Sequence, residues 1–248
     1  MFFIGKRKSI FFALKIKKAA LCAACVCFAA AAAICAVKFA SSKAAFATPM
    51  ANKVIIIDPG HGGADAGASA NGAVEKELNL EIAKILQKYM EEGGAEAILT
   101  RTEDTNTADP NRPRGVTQKS SDLRERKEDA ARFKADLFIS IHMNKFEQPQ
   151  YRGAQVFYSS DSDESKLLGE TLQQAIKEVM SDGNNRAAKP SGGHIFVLKN
   201  TDVPSALIEC GFLSNPDEAE NLKTPEYRRR MAWGIYVGVM RFFSAMPQ

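Results

Sequence analysis

Residues 1–47 contain no aspartate or glutamate. They hold eight of the chain's 33 Lys and Arg residues, so the other 25 cations stand against all 29 acids. The formal net charge of +4 therefore conceals a remainder with a net charge near −4. A polypeptide of that charge has no general basic surface for nucleic acid, and no nucleic-acid partner is predicted.

Cysteine is nearly absent beyond residue 47. Four of the five cysteines lie within residues 22–35, which leaves Cys210 alone in the rest of the chain. A single cysteine forms no internal disulfide, so the fold must depend on its hydrophobic core. The sequence also lacks a His-Glu-x-x-His motif, which argues against peptidases that bind zinc through two histidines on one helix.

The N-terminal segment has the layout of an export signal. Residues 1–18 are basic, residues 19–37 carry no charged side chain, and Ala45-Phe46-Ala47 offers a cleavage site after Ala47. The apolar run is also close to the roughly 20 residues that cross a bilayer, so an uncleaved membrane anchor is the alternative. In both cases the remainder is predicted to be exported, with a linker at 48–52 and a folded domain at 53–244.

Strand and helix patterns alternate from Lys53 onward. The predicted strands are 53–58, 95–100, 135–142, 153–158, 195–198 and 206–209, and the predicted helices are 77–92, 121–134, 162–181 and 224–243. Ser121 or Asp122 is expected to cap the second helix, and Pro225 suits the first turn of the last one. This alternation predicts a single α/β domain with a mostly parallel sheet.

Two of the three histidines end apolar strands. Val54–Ile57 leads through Asp58-Pro59-Gly60 to His61, and a second apolar run ends in His142. Ligands of α/β sheets gather at the carboxyl ends of strands, so the pattern predicts one metal site there. A catalytic zinc takes about three protein ligands and keeps a position open for water. Glu75 is the third candidate, although an ordinary acid in a first helical turn explains its spacing better.

Glu209 ends the apolar run 206–209. A carboxylate at such a position is costly unless it is paired or functional. It could be a general base beside the metal, or it could bond to a lysine or a helix N-terminus, and the sequence favours neither. His194 precedes a predicted strand, so a substrate-contacting or surface role is expected for it.

The remaining polar candidates are less specific. Asp58 and Asp65 flank His61, and Asp58 is expected to support the turn or the imidazole. Arg101, Arg124 and Arg126 have the spacing of ordinary surface or helix charges. Arg124 could instead pair with the carboxylates of the site.

Four separated motifs carry a family resemblance. They are Ile57-Asp58-Pro59-Gly60-His61-Gly62-Gly63, Glu75-Lys76-Glu77-Leu78-Asn79-Leu80, Ser140-Ile141-His142-Met143-Asn144 and Ile208-Glu209-Cys210-Gly211-Phe212-Leu213-Ser214-Asn215. In this order they resemble the zinc-dependent N-acetylmuramoyl-L-alanine amidases, from about Lys53 to Phe243. The resemblance implies a six-stranded sheet, His61, Glu75 and His142 as ligands of one Zn²⁺ ion, and Glu209 as the catalytic glutamate.

The resemblance also implies a substrate and a reaction. The substrate would be peptidoglycan, cleaved at the amide between the lactyl group of N-acetylmuramic acid and L-alanine. The chain is most similar to sporulation amidases, which prepare spore cortex peptidoglycan for muramic-δ-lactam formation. A vegetative wall autolysin is the alternative, and an inactive zinc-containing wall-binding protein would have lost Glu209. Division amidases of this family often carry a long helical insertion after the second histidine motif, which blocks the site. Here only Lys145–Arg152 separates that motif from the next predicted strand, so no such helix is expected. The resemblance identifies no activating protein.

Overall fold

The computed structural model describes residues 25–33 and 48–246. Residues 25–33 form an exposed helix and are described by themselves. Within the described ranges, no helix is both long and apolar enough to cross a membrane. Apart from 25–33, the segment predicted to be a signal or anchor lies outside the described residues.

Residues 48–246 form a layered α/β domain. The strands are β1 (Val54–Pro59), β2 (Ser69–Ala70), β3 (Ala73–Val74), β4 (Glu96–Leu99), β5 (Leu137–Asn144), β6 (Gln155–Tyr158), β7 (Lys189–Pro190) and β8 (Ser205–Phe212). The helices are α1 (Glu75–Glu92), α2 (Gln118–Arg132), α3 (Asp163–Met180), α4 (Pro216–Lys223) and α5 (Pro225–Ala245). Six strands form one sheet in the order β4-β1-β5-β8-β6-β7, in which only the β6–β8 pair is antiparallel. The prediction of a six-stranded, mostly parallel α/β domain is confirmed.

The two faces of the sheet are covered differently. Ile57, Ile139 and Ile208 pack into the larger core, which is closed by α1, α3 and α5. Their neighbours Phe138 and Leu207 point to the opposite face. There the cover consists of α2 and a 3₁₀ turn at residues 196–198. Because side chains alternate along a strand, every second residue of β1, β5 and β8 lies on this less covered face.

Two predicted elements differ in the structure. Residues 195–198 form a 3₁₀ turn, not a strand, and the Leu198 N–H donates to the Ile195 carbonyl at 3.1 Å. Val197 and Leu198 use their apolar side chains to cover the sheet face. Helix α2 begins at Gln118, where the Thr117 side chain accepts a hydrogen bond from the Ser120 N–H. The expectation of Ser121 or Asp122 as the cap was wrong.

At two places, regular structure begins nearer the N-terminus than predicted. Residues 48–52, predicted to be a linker, form a turn in which Met50 is fully buried. The Asn52 N–H donates to the Gly94 carbonyl at 2.9 Å, which ties this turn to the end of α1. Helix α1 begins at Glu75, two residues before its predicted start. The short elements β2, β3, β7 and α4 have no counterpart among the predicted ones.

A buried arginine holds the turn that leaves β1. Nη1 of Arg126 donates to Asp58 Oδ1 at 2.8 Å and to the Pro59 carbonyl at 2.7 Å. Nη2 donates to the His61 carbonyl at 2.6 Å, and Nε donates to Asp122 Oδ2 at 2.9 Å. The side chains of Arg126 and Asp58 are each 1% exposed. The expectation of an ordinary surface or helix charge was therefore wrong for Arg126.

Asp58 is ionised in this environment. Its carboxylate also accepts hydrogen bonds from Ser140 Oγ and Thr100 Oγ1, both at 2.7 Å. Burial alone would raise the pKa of Asp58, but Arg126 and these two hydroxyls outweigh it and hold the pKa below its usual value. Asp58 therefore stabilises the fold above its unfolded-state pKa of about 4, and this stabilisation is lost as pH falls through the lower folded-state pKa.

We expect Arg126→Met to lower the free energy of unfolding by about 3–5 kcal/mol, because it leaves the Asp58 carboxylate buried without a cation. Denaturant unfolding at neutral pH measures this loss. The difference from the wild type should narrow as pH falls, because the buried Asp58 of the variant, without its cation, takes up a proton at a higher pH than Asp58 of the wild type, whose pKa is lowered.

Arg124→Met is the matched control. Arg124 lies two residues away on α2 and is exposed, so its replacement should change the free energy of unfolding by no more than about 0.5 kcal/mol. Equal losses for the two variants would contradict the role assigned to Arg126.

Candidate active site

Three side chains converge at the carboxyl edge of the sheet. Glu75 Oε1 lies 3.1 Å from His61 Nε2 and 3.0 Å from His142 Nδ1. The potential ligand atoms of these three residues all lie within 4.8 Å of one another. The structure thus brings together the two histidines from strand ends and Glu75, whose spacing alone favoured an ordinary acid of a first helical turn.

The turn after β1 places the His61 imidazole. His61 has a left-handed backbone, with φ at 62°, and directly follows Gly60. A side-chain carbon at Gly60 would lie 2.2 Å from the ring of His142. Glycine is therefore required at position 60, because the turn passes directly against the second imidazole.

A folded-back loop delivers Glu75. The Glu75 N–H donates to the Ala68 carbonyl at 2.9 Å, and the Ala68 N–H returns a bond to Glu75 Oε2 at 2.7 Å. The hairpin of β2 and β3 closes this loop through Asn71-Gly72, both with positive φ, as two-residue hairpins prefer. Burial would raise the pKa of Glu75, but hydrogen bonds with His142 and His61 lower it well below its usual value.

Asp65 holds the other nitrogen of His61. Asp65 Oδ1 lies 3.1 Å from His61 Nδ1. Burial would lower the pKa of His61, but Glu75 and Asp65 together raise it. A carboxylate on Nδ1 fixes the orientation of the ring and leaves Nε2 to face Glu75. Asp65 is therefore a positioning residue, a role that was not predicted from the sequence.

Glu209 faces the same edge from the neighbouring strand. The register of β5 and β8 sets Glu209 beside His142, on the less covered face of the sheet. Within the described residues, its Oε2 is buried and has no hydrogen-bond partner. Burial raises the pKa of the Glu209 carboxyl to about 7, and the charge of Glu75 adds to the rise. Cys210, one residue on, points to the opposite face and is fully buried as a free thiol.

The donor set fits a zinc ion. Two imidazoles and one carboxylate are typical ligands of a catalytic zinc, which keeps a further position for water. The second oxygen of Glu75 and the second nitrogen of His61 are already held by protein groups. The unpartnered oxygen of Glu209 is the acceptor that an attacking water requires.

Arg101 supports the turn after β1 and the first turn of α1, a role that the sequence did not predict. Its guanidinium donates to the carbonyls of Pro59 (2.9 Å), Gly60 (3.0 Å) and Lys76 (2.8 Å). Only 4% of Arg101 is exposed, so the expectation of an ordinary surface charge was wrong. Burial and the nearby charge of Arg126 lower the pKa of Arg101 to about 10. The only signal in the sequence is that Arg101 follows an apolar strand.

A cleft of about 200 Å³ opens beside the two histidines. Leu123 of α2, His194 and Phe196 line its wall. His194 is exposed and is not part of the three-residue cluster. Both roles expected for His194, substrate contact and surface, therefore stay predictions. Arg124 is exposed on α2.

Comparisons with known proteins agree with the motifs. Residues 55–241 match the family described as N-acetylmuramoyl-L-alanine amidase. The germination-specific N-acetylmuramoyl-L-alanine amidase of Bacillus subtilis (strain 168) is 38% identical over 197 residues, covering 79% of this chain and 82% of that protein. The amidase LytC of the same strain is 32% identical over 197 residues, which cover 79% of this chain and 36% of LytC.

Solved structures share the fold. The CwlD amidase from Clostridioides difficile, in complex with the GerS lipoprotein, is 40% identical with a TM-score of 0.74, covering 79% of this chain and all of that chain. An N-acetylmuramoyl-L-alanine amidase from Clostridium difficile 630 is 29% identical with a TM-score of 0.69, covering 79% of this chain and 99% of that one. The resemblance predicted from the four motifs is confirmed, and the chain belongs to the N-acetylmuramoyl-L-alanine amidase family of cell wall hydrolases.

Proposed function

We propose that this amidase is a one-zinc enzyme in which His61, Glu75 and His142 bind the metal and Glu209 is the catalytic acid–base. The observation that carries the proposal is the convergence of three ligand atoms within 4.8 Å of one another, beside a buried carboxylate oxygen that lacks a partner among the described residues. An inactive wall-binding protein would have no need of that costly carboxylate.

The proton transfers fall to Glu209. A zinc ion bound by the three ligands would polarise the scissile carbonyl and lower the pKa of the attacking water toward about 7. Glu209 accepts a proton from that water while the water oxygen forms a bond to the carbonyl carbon. When the carbon–nitrogen bond breaks, Glu209 donates this proton to the departing amine of L-alanine. Asp65 keeps the His61 ring oriented throughout.

We further propose that the substrate is spore cortex peptidoglycan and that cleavage prepares muramic-δ-lactam. This assignment is supported by 38% identity to a protein named a germination-specific amidase. The rival assignment, a vegetative wall autolysin, is supported by 32% identity to LytC. The test is expression in a spore former that lacks its own germination-specific amidase: muramic-δ-lactam returns to the cortex if the first assignment is correct and stays absent if the second is.

Two further features belong to this proposal. The C. difficile CwlD structure contains a lipoprotein, GerS, and we propose that this chain also has a protein partner, which affinity purification from sporulating cells would identify. Residues 1–47 are proposed to direct export to the wall. N-terminal sequencing of the exported protein should begin at Thr48, whereas an intact N-terminus would indicate a membrane anchor through residues 19–37.

We predict that Glu209→Gln lowers kcat by about 10²- to 10⁴-fold, because the variant accepts no proton from water. Mass spectrometry of digested peptidoglycan measures the release of stem peptides that begin with L-alanine. Bound zinc should match the wild type, since Glu209 is not a ligand. Thermal stability should not fall, since the change removes a buried charge without a partner.

Glu170→Gln is the control, at an exposed glutamate of α3, and it should retain wild-type activity. A Glu209→Gln variant that still releases stem peptides at the wild-type rate would refute the acid–base role. Release lost together with zinc would instead point to Glu209 as a ligand.

We predict a graded loss of zinc affinity around the cluster. Asp65→Asn should weaken binding roughly 10- to 100-fold, the usual effect of a group that orients a ligand. His142→Ala and Glu75→Ala remove ligands and should cost more. Metal content after dialysis against a graded zinc buffer measures the order.

His194→Ala is the matched control for these variants. It removes the third histidine, which lies in the cleft but outside the cluster, so zinc content should stay at the wild-type level. Loss of zinc in His194→Ala, or full retention in His142→Ala, would overturn the ligand set.

A further inference from the structure

The loop between β5 and β6 exposes two aromatic side chains next to each other. Phe146 is 51% exposed and Tyr151 is 42% exposed. Their rings meet edge to face with centroids 5.0 Å apart. Single exposed apolar residues are common on protein surfaces, whereas these two rings together form one contiguous exposed apolar surface.

The pair rests on a fixed base. The Tyr151 ring stacks on Phe212, with centroids 6.2 Å apart and an angle of 29° between the rings. The Arg186 guanidinium lies 4.8 Å from the centroid of Phe212. Glu218 accepts hydrogen bonds from the N–H groups of Phe212 and Gly153, both at 2.8 Å. The rings are therefore held in place before any ligand arrives, which lowers the entropic cost of binding.

This loop lies at the same sheet edge as the proposed zinc ligands. Phe146 follows His142 by four residues, so their Cα atoms are at most about 14 Å apart. The Phe146 N–H donates to Ser214 Oγ at 3.1 Å, and Lys145 Nζ donates to the Ser69 carbonyl at 3.1 Å. The loop is thus tied both to the segment after β8 and to the hairpin that precedes Glu75.

The surroundings of the rings suit a neutral sugar. The exposed side chains between the two rings include Glu147, Gln148 and Gln150. The side-chain amides of Gln148 and Gln150 can hydrogen bond to hydroxyl and N-acetyl groups of a sugar. The two cations that flank the pair, Lys145 and Arg152, donate to the carbonyls of Ser69 and Asp182 on other segments. Sugar rings present a flat face of C–H groups, and the negative face of an aromatic ring attracts such positively polarised hydrogens.

We propose that Phe146 and Tyr151 form a platform for the N-acetylated amino-sugar strand of the substrate and position that strand for cleavage. The inference rests on the proposed function, because it takes the edge at Glu209 as the place of cleavage. The cleft lined by His194 and Phe196 belongs to α2 and the 3₁₀ turn, and no residue of 145–152 lines it. The platform and the cleft can therefore hold different parts of one substrate.

The first test is binding without catalysis. Calorimetric titration of the full-length protein with a peptide-free tetramer of N-acetylglucosamine should show saturable binding. Phe146→Ala and Tyr151→Ala should each weaken it roughly threefold to tenfold, and the double variant more. Phe146→Tyr and Tyr151→Phe preserve the rings and should bind like the wild type.

Trp233→Ala is the matched control, because Trp233 is 46% exposed but lies on α5, away from this loop. Equal weakening by Trp233→Ala, unchanged binding by the double alanine variant, or no binding by the wild type would overturn the platform. Binding of a free stem peptide that is lost in the double variant would also overturn it, in favour of a peptide site.

The second test separates the platform from the proposed function. For peptidoglycan with long glycan strands, the double alanine variant should raise KM roughly tenfold or more with little change in kcat. For an N-acetylmuramoyl-peptide with a single sugar, it should match the wild type. If the wild type binds the sugar tetramer but cleaves neither substrate, the proposed function fails and the platform stands. If the double variant cleaves both substrates like the wild type, the platform fails and the proposed function stands.

Discussion

The buried guanidinium of Arg126 is the interaction on which the site depends. It bonds to the carbonyls of Pro59 and His61 and to the carboxylates of Asp58 and Asp122. Only the planar, five-donor fork of arginine can satisfy so many acceptors at once; a lysine presents a single point of charge. The left-handed backbone of His61 costs about 1–3 kcal/mol and persists only where its surroundings fix it. Arg126 supplies that restraint, because its hydrogen bonds to the Pro59 and His61 carbonyls fix the strained turn.

The unequal cover of the sheet separates stability from chemistry. One face buries Ile57, Ile139 and Ile208 beneath three helices. The other face has α2 and a 3₁₀ turn as its cover, and it carries His142 and Glu209 at the open carboxyl end. Since side chains alternate along a strand, a single strand can supply the core with one residue and the site with the next. Glu75 reaches this edge on a loop that folds back through Ala68.

The sequence was most informative where signals are local. Two apolar runs, one followed by a tight turn to His61 and the other ending in His142, predicted the sheet edge. They also predicted two of the proposed ligands. The spacing of Glu75 favoured an ordinary first-turn acid, because its place in the cluster depends on a loop that folds back through the Ala68 carbonyl and N–H. Spacing does not encode that arrangement. Arg126 looked like a helix charge because, apart from Asp122 on the same helix, its acceptors lie at the end of β1 and in the turn that follows. Residues 195–198 failed as a strand because a short apolar run suits a buried turn equally well.

Glu209 shows why the site is built at a cost to the fold. A carboxylate with several hydrogen bonds would be more stable but a weaker base, because those bonds lower its pKa. In this structure burial raises the pKa of Glu209 to about 7. A cation at the neighbouring cluster would lower that pKa, since an opposite charge favours the ionised form. The unpartnered oxygen thus fits a group that must accept a proton and then release it, and the larger core on the opposite face supplies the stability that this arrangement gives up.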